Sequence, residues 1–297
     1  MADRTDSAAV VMTLDPFETL GDVYSTDEVA YVRAVLHAHP DLSAQVIRAA
    51  AVELVAHLTQ GRSVEAVTPH LDQILTRAWS RTRAQQTPRN LDAGRQSKTR
   101  EAITEVRRVL PYLNYFALED SHYRHARFDG TQSAQIQRCV FHMADAATVL
   151  PYDPVRDRVL LIEQVRFGPF GRGDAYPWVY EPVAGRIDAG EGPEATARRE
   201  AVEEARVVLG ALHKAAEYYV SPGAATEFIV SYVGFADLPD DVTGTAGLAG
   251  EHEDIRSHLV SFDDLMAMCD AHQLDTGPLY LTALWLARHR DRLRATL

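Results

Sequence analysis

The sequence predicts an α+β chain in which a small all-helical module precedes a sandwich of mixed strands and helices. Three observations carry that expectation. Apolar residues recur at helical spacing from residue 26 to about 83; a polar stretch with chain breakers follows at about 82–99; and beyond Pro111 short apolar runs alternate with turn signals. Mixed strands with only two or three helices argue for a sandwich rather than a repeated strand-helix-strand array. The 297 residues exceed the common size of one domain. The expected division is therefore a helical module over 1–110, with its linker at about 82–99, and a second domain over 111–297.

In the first helix Val29, Val32, Val35 and Leu36 recur on one face. Ser43 is placed to cap a second helix, which Val46, Ile47, Ala50, Leu54 and Leu58 continue and Gly61 stops. Residues 64–84 read as a third helix with Val67, Leu71, Ile74, Leu75 and Trp79 on one side. The linker is rich in Arg, Gln, Asn, Ser and Lys and holds Pro88 and Gly94. A further helix is expected over 100–110. The runs 146–152 and 158–166 flank Asp153-Pro154-Val155-Arg156-Asp157, a turn signal between apolar segments, and so predict an antiparallel hairpin. Strands at 228–235 and 256–261 and an amphipathic helix over 278–289 complete the chain.

Composition narrows the function classes. Hydrophobic residues at 46% and charged residues at 24% are globular proportions. The apolar runs 146–150 and 159–162 fall short of the roughly 20 residues a membrane helix needs. Asp3, Arg4 and Asp6 ahead of the brief run 8–12 do not form a secretory signal. The expectation is a cytoplasmic protein with no membrane partner. A net charge of −12 repels a phosphate backbone, so no nucleic-acid partner is expected. Cys139 and Cys269 lie outside any C-x-x-C spacing, and both are expected to be small buried hydrophobes.

The most informative stretch is 185–207, GRIDAGEGPEATARREAVEEARV. On a helix Glu200, Glu203 and Glu204 gather on one side, where like charges repel by about a few tenths of a kcal/mol per pair. A solvated charge face would intersperse lysines there. The nearest basic residues, Arg199 and Arg206, are expected elsewhere on the wheel. A cation between the carboxylates would remove the repulsion, and oxygen-only ligands suit Mg²⁺. A solvated Glu-rich face is the alternative that residue types alone leave open.

The stretch resembles the Nudix box, G-x5-E-x7-R-E-U-x-E-E-x-G-U, at Gly185, Glu191, Arg199, Glu200, Glu203, Glu204 and Val207, with Ala201 at the first apolar position. Where the box has its second glycine this chain has Arg206. Either Arg206 takes the left-handed conformation that ends the helix, or the helix runs on to Gly210. The resemblance extends from about residue 115 to 289 and is closest to the ADP-ribose pyrophosphatase branch, particularly its tellurite-resistance-associated subgroup. It is carried by Arg127-Phe128-Asp129-Gly130, by residues 160–166 (LLIEQVR), by residues 221–227 (SPGAATE) and by residues 247–255 (GLAGEHEDI).

That resemblance implies a Nudix α/β/α sandwich of mixed sheets and a set of roles. The carbonyl of Ala184, with Glu200, Glu204 and Glu253, would bind Mg²⁺, with Mn²⁺ as the substitute. Glu251 would orient or deprotonate the attacking water, and Glu203 is the alternative base. Arg166 is the first choice for a diphosphate or ribose contact and Arg138 the second, because a guanidinium offers phosphate oxygens a fork of donors; a surface salt bridge is the other reading of each. Glu181 resembles the position that contacts the adenine or terminal ribose side, with a structural carboxylate at a strand edge as the alternative. Gly185 belongs to the same substrate-binding set. Glu227, from Pro222-Gly223-x-x-x-Glu, would lie near metal or substrate. Ordinary packing is expected for most of Phe167, Phe170, Tyr176 and Trp178, and a solvent-facing position for His252.

The implied reaction is hydrolysis of ADP-ribose to AMP and ribose 5-phosphate. The alternatives are another nucleoside diphosphate sugar or dinucleotide (GDP-mannose, ADP-glucose, a diadenosine polyphosphate) and a non-catalytic ADP-ribose-sensing module. The resemblance also implies a homodimer in which both subunits shape the site.

Overall fold

A computed structural model describes residues 15–87, 98–248, 250 and 253–296. The chain forms two compact units, Met1–Arg95 with Leu113–Tyr115, and Gln96–Tyr112 with Phe116–Leu297.

The first unit is helical. Ser25 caps α1 (Thr26–Val35) in a capping box with Glu28. As its sequence predicts, Ser43 caps α2 (Ala44–Thr59), accepting from the Val46 amide, and Gly61 follows with φ +74°. The third helix departs from expectation. It divides into α3 (Val64–Val67), a 3-10 turn (Thr68–His70) and α4 (Leu71–Gln86), because Pro69 cannot donate within a continuous helix. The expected linker therefore begins as helix, and its residues 88–97 lie outside the described residues. Leu20, Val32, Ile47, Leu54 and Ile74 form the core. Beside it the buried Glu53 carboxylate receives Arg77 at 2.7 Å and Arg81 at 2.8 Å.

His57 is buried in the same unit. Burial, together with the charge of Arg62, pushes its imidazole down to about 4. Between there and the ordinary histidine value near 6.5 the unfolded chain binds a proton that the folded unit refuses, so stability falls as pH falls through that window. The loss attributable to His57 is expected to be on the order of 3 kcal/mol by pH 4. Unfolding followed by Trp79 fluorescence should show this loss in the wild type and a weaker pH dependence in His57→Gln; parallel curves would count against it.

The second unit opens with a correction. Residues 100–110 are not helical: a 3-10 turn (Arg100–Ala102) leads into the strand β1 (Ile103–Leu113). Ile103, Thr104, Val106 and Val109 are β-branched and prefer the pleat. Pro111 is tolerated because β1 is the edge of a three-stranded sheet with β2 (Ala117–His125) and β3 (Ile136–His142). Cys139 is exposed on β3, contrary to expectation, while Cys269 is buried as expected. Cys139 pairs with Asp120 across the ladder, on the face opposite the buried Glu119.

The main sheet is mixed. Its order is β10-β11-β5-β4-β9-β8, with β6 on β5 and β7 on β4. The strands are β4 (Ala146–Asp153), β5 (Arg158–Val165), β6 (Trp178–Glu181), β7 (Val183–Arg186), β8 (Leu212–Tyr219), β9 (Phe228–Phe235), β10 (Thr245–Ala246) and β11 (Ile255–Ser261). The expected hairpin is present, yet β4 and β5 pair only beside their turn, at Tyr152↔Val159 and Asp153↔Arg158. Beyond that they part, β4 taking β7 and β5 taking β6. The segment 178–186, carrying β6 and β7, fills the opening.

Strand alternation then sorts side chains to two faces. Ala147, Val149, Leu160, Ile162, Val183 and Tyr232 pack on Ala197, Ala201 and Ala205 of α6 (Pro193–Ala205). Leu150, Tyr152, Val159, Leu161 and Val233 pack on Leu265 of α7 (Phe262–Asp270) and on Leu279, Ala283 and Leu286 of α8 (Gly277–Arg294). This is the α/β/α sandwich the sequence implies. The terminal helix outruns its expected end because Asp157 receives Arg294 at 2.7 Å and Arg290 beside it. Among the described residues no helix is long and apolar enough to cross a membrane.

Candidate active site

The site is built where β7 meets α6. Pro193, in the first turn, is suited to start the helix, and the helix carries Arg199, Glu200, Glu203 and Glu204 past the backbone of β7. Contact there is close: a Cβ on Gly185 would lie 1.8 Å from Glu200 Oε1. The box glycine is thus a requirement of space.

Glu204 is only 2% exposed and accepts from the Ala184 amide at 2.9 Å. Burial pushes its carboxyl up to about 8; the Ala184 amide opposes that rise, and the charges of Glu200 and Glu253 add to it. Burial likewise raises Glu200 to about 7 against the opposing charge of Arg199. Glu253 follows a loop whose Gly247, at φ +106°, passes so near that an added Cβ would be 2.7 Å from Glu253 Cβ. The Gly247 amide donates to the Glu203 carbonyl of α6 (3.2 Å) and the Leu248 amide to Glu253 Oε2 (3.1 Å), which ties Glu253 to a backbone held on that helix. Ala184, Glu200, Glu204 and Glu253 therefore share one locality. No three His, Cys, Asp or Glu side chains among the described residues already close on a metal position, whereas Mg²⁺ ordinarily needs only one or two carboxylates and completes its shell with water and phosphate. Glu251 and His252 lie outside the described residues.

Arg199 does not point away, as the helical wheel suggested. Its long side chain curls back, donating from Nη1 to Glu200 (2.8 Å) and Glu203 (2.9 Å) and from Nη2 to Glu191 (3.1 Å). The Thr196 hydroxyl donates to the same Glu191 oxygen at 2.6 Å. One guanidinium thus offsets much of the repulsion expected among the glutamates. Glu204 is left without a cationic partner among the described residues.

Arg206 resolves the box departure in favour of the first alternative. It sits at φ 56°, ψ 30°, and the helix ends at Ala205. The Val207 amide closes onto the Ala201 carbonyl at 2.9 Å, as a glycine terminus would. Glu204 keeps its place. Arg206→Gly is expected to stabilise the unit by up to about 1 kcal/mol, the relief of left-handed strain being offset in part by greater unfolded-chain entropy. Urea unfolding checks this, and a destabilised variant would contradict it.

Among the residues expected to meet substrate, Arg166 Nε donates to Glu181 Oε2 at 2.7 Å. Burial raises the carboxyls of Glu181 and Glu227, with Arg166 opposing both and Arg186 also opposing that of Glu227. Glu227 leaves a tight turn in which the Ala224 and Ala225 amides donate to the Ser221 carbonyl. Thr226 pins that turn through its hydroxyl to the Met143 carbonyl at 2.8 Å. Arg166, Glu181 and Glu227 are thus gathered together. Arg186, which the sequence reading did not single out, joins them, its guanidinium 5.9 Å from the Phe116 ring centroid. Arg138 is not gathered in: it faces solvent on β3 and donates to the Gln137 carbonyl. The aromatics after Arg166 are not ordinarily packed either, being 76% (Phe167), 66% (Phe170), 82% (Tyr176) and 58% (Trp178) exposed.

Comparison with known proteins places these features in context. Residues 142–282 match the NUDIX domain. The ADP-ribose pyrophosphatase of Escherichia coli (strain K12) is 36% identical over 189 residues, 64% of this chain and 90% of that protein. That of Haemophilus influenzae is 34% identical over 62% of this chain and 85% of its own length. A GDP-mannose pyrophosphatase of Escherichia coli (O1:K1 / APEC) is 31% identical over 63% of this chain and 95% of its own length.

Proposed function

This chain belongs to the Nudix family, and from that premise we propose that it is a hydrolase that splits the diphosphate of ADP-ribose into AMP and ribose 5-phosphate. The observation that carries the proposal is the buried Glu204 and half-buried Glu200 behind the Gly185 backbone, with a second group formed by Arg166, Glu181 and Glu227 near enough for the charge of Arg166 to act on Glu204. The first group suits a cation and the second a diphosphate sugar. The relatives named for ADP-ribose and GDP-mannose support a nucleoside diphosphate sugar as substrate, with the GDP-mannose relative favouring that sugar as the second candidate.

The donor set fits a divalent cation. Both carboxyls are held above their ordinary range, Glu200 despite its bond from Arg199 and Glu204 with a single amide donor. Ala184, through its carbonyl, with Glu200, Glu204 and Glu253 would hold Mg²⁺, for which Mn²⁺ can substitute. When bound, such an ion neutralises diphosphate charge and makes a water more acidic. Arg166 would donate to the diphosphate or ribose while Glu181 fixes its plane. Glu181 and Glu227 would accept from sugar hydroxyls, and Gly185, whose missing side chain makes room for Glu200, would meet the substrate through its backbone. Glu251 is the proposed base; Glu203, held by Arg199, is the alternative. We place Arg138 outside this monomer's contact set. The exposed edge strand β1, with Ile103, Val106, Val109 and Tyr112 outward, supports a homodimer, since unpaired edges are normally covered. A cytoplasmic location accords with the substrate class.

The carboxyls of Glu200 and Glu204, near 7 and 8 in the free protein, give a pH signature. Metal binding must displace protons they hold, so affinity and kcat/KM are expected to rise from about pH 6 to about pH 9 and level above it. Calorimetry of Mg²⁺ binding in buffers of different ionisation heat should find on the order of one proton released at pH 7 and fewer at pH 9. Release that does not vary with pH would contradict the assignment. Substrate choice is settled by initial rates on ADP-ribose, GDP-mannose, ADP-glucose and a diadenosine polyphosphate. The proposal expects the highest kcat/KM for ADP-ribose, and a tenfold preference for another would replace it.

A further inference from the structure

The helical unit contains a buried arginine whose bonds reach past its own helices. Arg77 is 1% exposed, and Glu53 beside it is wholly buried. Glu53 receives Nε and Nη2 of Arg77, at 3.0 and 2.7 Å, and so fixes the plane of the guanidinium. The remaining donors are aimed at backbone: Nη1 to the Tyr115 carbonyl at 2.6 Å and Nη2 to the Asn114 carbonyl at 3.3 Å. These carbonyls lie in the short segment Leu113–Tyr115 that belongs with the helical unit, although the chain enters it from β1 and leaves it into β2. A rigid fork of charged donors on two successive carbonyls is a strong means of fixing a turn.

The next residue is Phe116. Its ring lies 4.9 Å from that of Phe141 and beneath the guanidinium of Arg186. Phe141 in turn donates its amide to the Ala224 carbonyl at 2.7 Å and accepts from the Thr226 amide at 3.0 Å. Glu227 follows directly. A chain of contacts thus runs from Arg77 through one peptide bond to Arg186 and through two to Glu227.

We propose that Arg77 is a positioning residue for the substrate site: by holding the Asn114 and Tyr115 carbonyls it sets Phe116, and through Phe116 the placement of Arg186 and Glu227. Arg77 is then a required support of diphosphate-sugar binding, acting through the backbone it holds. The kinetic part of this proposal rests on the function proposed above.

The test uses the full-length chain with Arg77→Met, which removes the donors, and with Glu53→Gln and Arg77→Met combined, which also removes the uncompensated buried charge. Hydrogen exchange at the Phe141 and Thr226 amides is measured without substrate, alongside KM and kcat on ADP-ribose. Exchange at both amides is expected to quicken roughly tenfold and KM to rise roughly tenfold with kcat within about threefold, Arg77→Lys restoring part of each. A variant whose helices unfold has also lost the carbonyl clamp, so the same result is expected of it. Unchanged exchange and KM in either variant overturn the proposal. Should the wild type hydrolyse no diphosphate sugar, the functional reading fails by itself and the exchange measurement alone decides the role of Arg77.

Discussion

Glu204→Gln is expected to lower kcat by on the order of 10³, about 4 kcal/mol of transition-state stabilisation. The side chain is isosteric, and its carbonyl oxygen can still accept from the Ala184 amide, so the local backbone has no reason to move. What disappears is the charge. Glu204 is the most buried of the box carboxylates and lacks a cationic side-chain partner among the described residues, so its negative charge is available to a metal in a way that of Glu203, already shared with Arg199, is not. Stability should move the other way. The raised carboxyl means the metal-free fold carries an unfavourable charge once pH exceeds about 8, and a neutral amide escapes that cost. Metal-free Glu204→Gln is therefore expected to unfold no more easily than wild type at pH 8.5. An inactive variant that was also markedly less stable would indicate a structural role instead.

Gly185→Ala is the second large effect, and its cause is steric. The new methyl would stand 1.8 Å from Oε1, 2.0 Å from Cδ and 2.4 Å from Cγ of Glu200, distances that no non-bonded pair of heavy atoms sustains. A glutamate side chain yields more readily than the paired strand β7, which is fixed to β4 from Ala146↔Arg186 to Val149↔Val183. Glu200 is therefore expected to swing out of the cluster and leave Arg199. Activity should fall by roughly 10² to 10³ and Mg²⁺ affinity by about tenfold or more. Stability should fall by about 1 to 3 kcal/mol, the usual range for overpacking. Activity and Mg²⁺ affinity are read by initial rates across a Mg²⁺ titration. A variant with wild-type metal affinity would show that the approach of β7 to Glu200 is not what the glycine secures.

These two residues also show what a sequence discloses. Glu200, Glu203 and Glu204 are legible because helix spacing is local and the box spans one turn, one helix and its end. The helical module and the 153–157 turn are legible for the same reason: capping serines and a five-residue turn act through near neighbours. The steric role of Gly185 is not, since the atom that excludes a side chain there belongs to a residue fifteen positions on. Arg199 was misplaced because a helical wheel fixes where a side chain starts, whereas a guanidinium several bonds away follows its acceptors, here Glu191 and Glu203. Residues 100–110 misled because β1 is an exposed edge strand, which lacks the alternation of apolar and polar residues that marks a half-buried one. The pairing of Arg166 with Glu181 and the addition of Arg186 depend on how β4 and β5 part to admit β6 and β7, a feature of sheet register that periodicity does not encode. Arg206 lay between these cases: chemistry named two outcomes, and the structure selected one.

The most direct test of the central claim is product release from ADP-ribose by the wild-type chain with Mg²⁺, measured beside Glu204→Gln and a chelated control. The account predicts AMP and ribose 5-phosphate in equal amounts from the wild type, loss of both on chelation, and a rate lower by on the order of 10³ in the variant. Undiminished AMP release by Glu204→Gln, or binding of ADP-ribose by the metal-loaded wild type with no AMP formed, would contradict it.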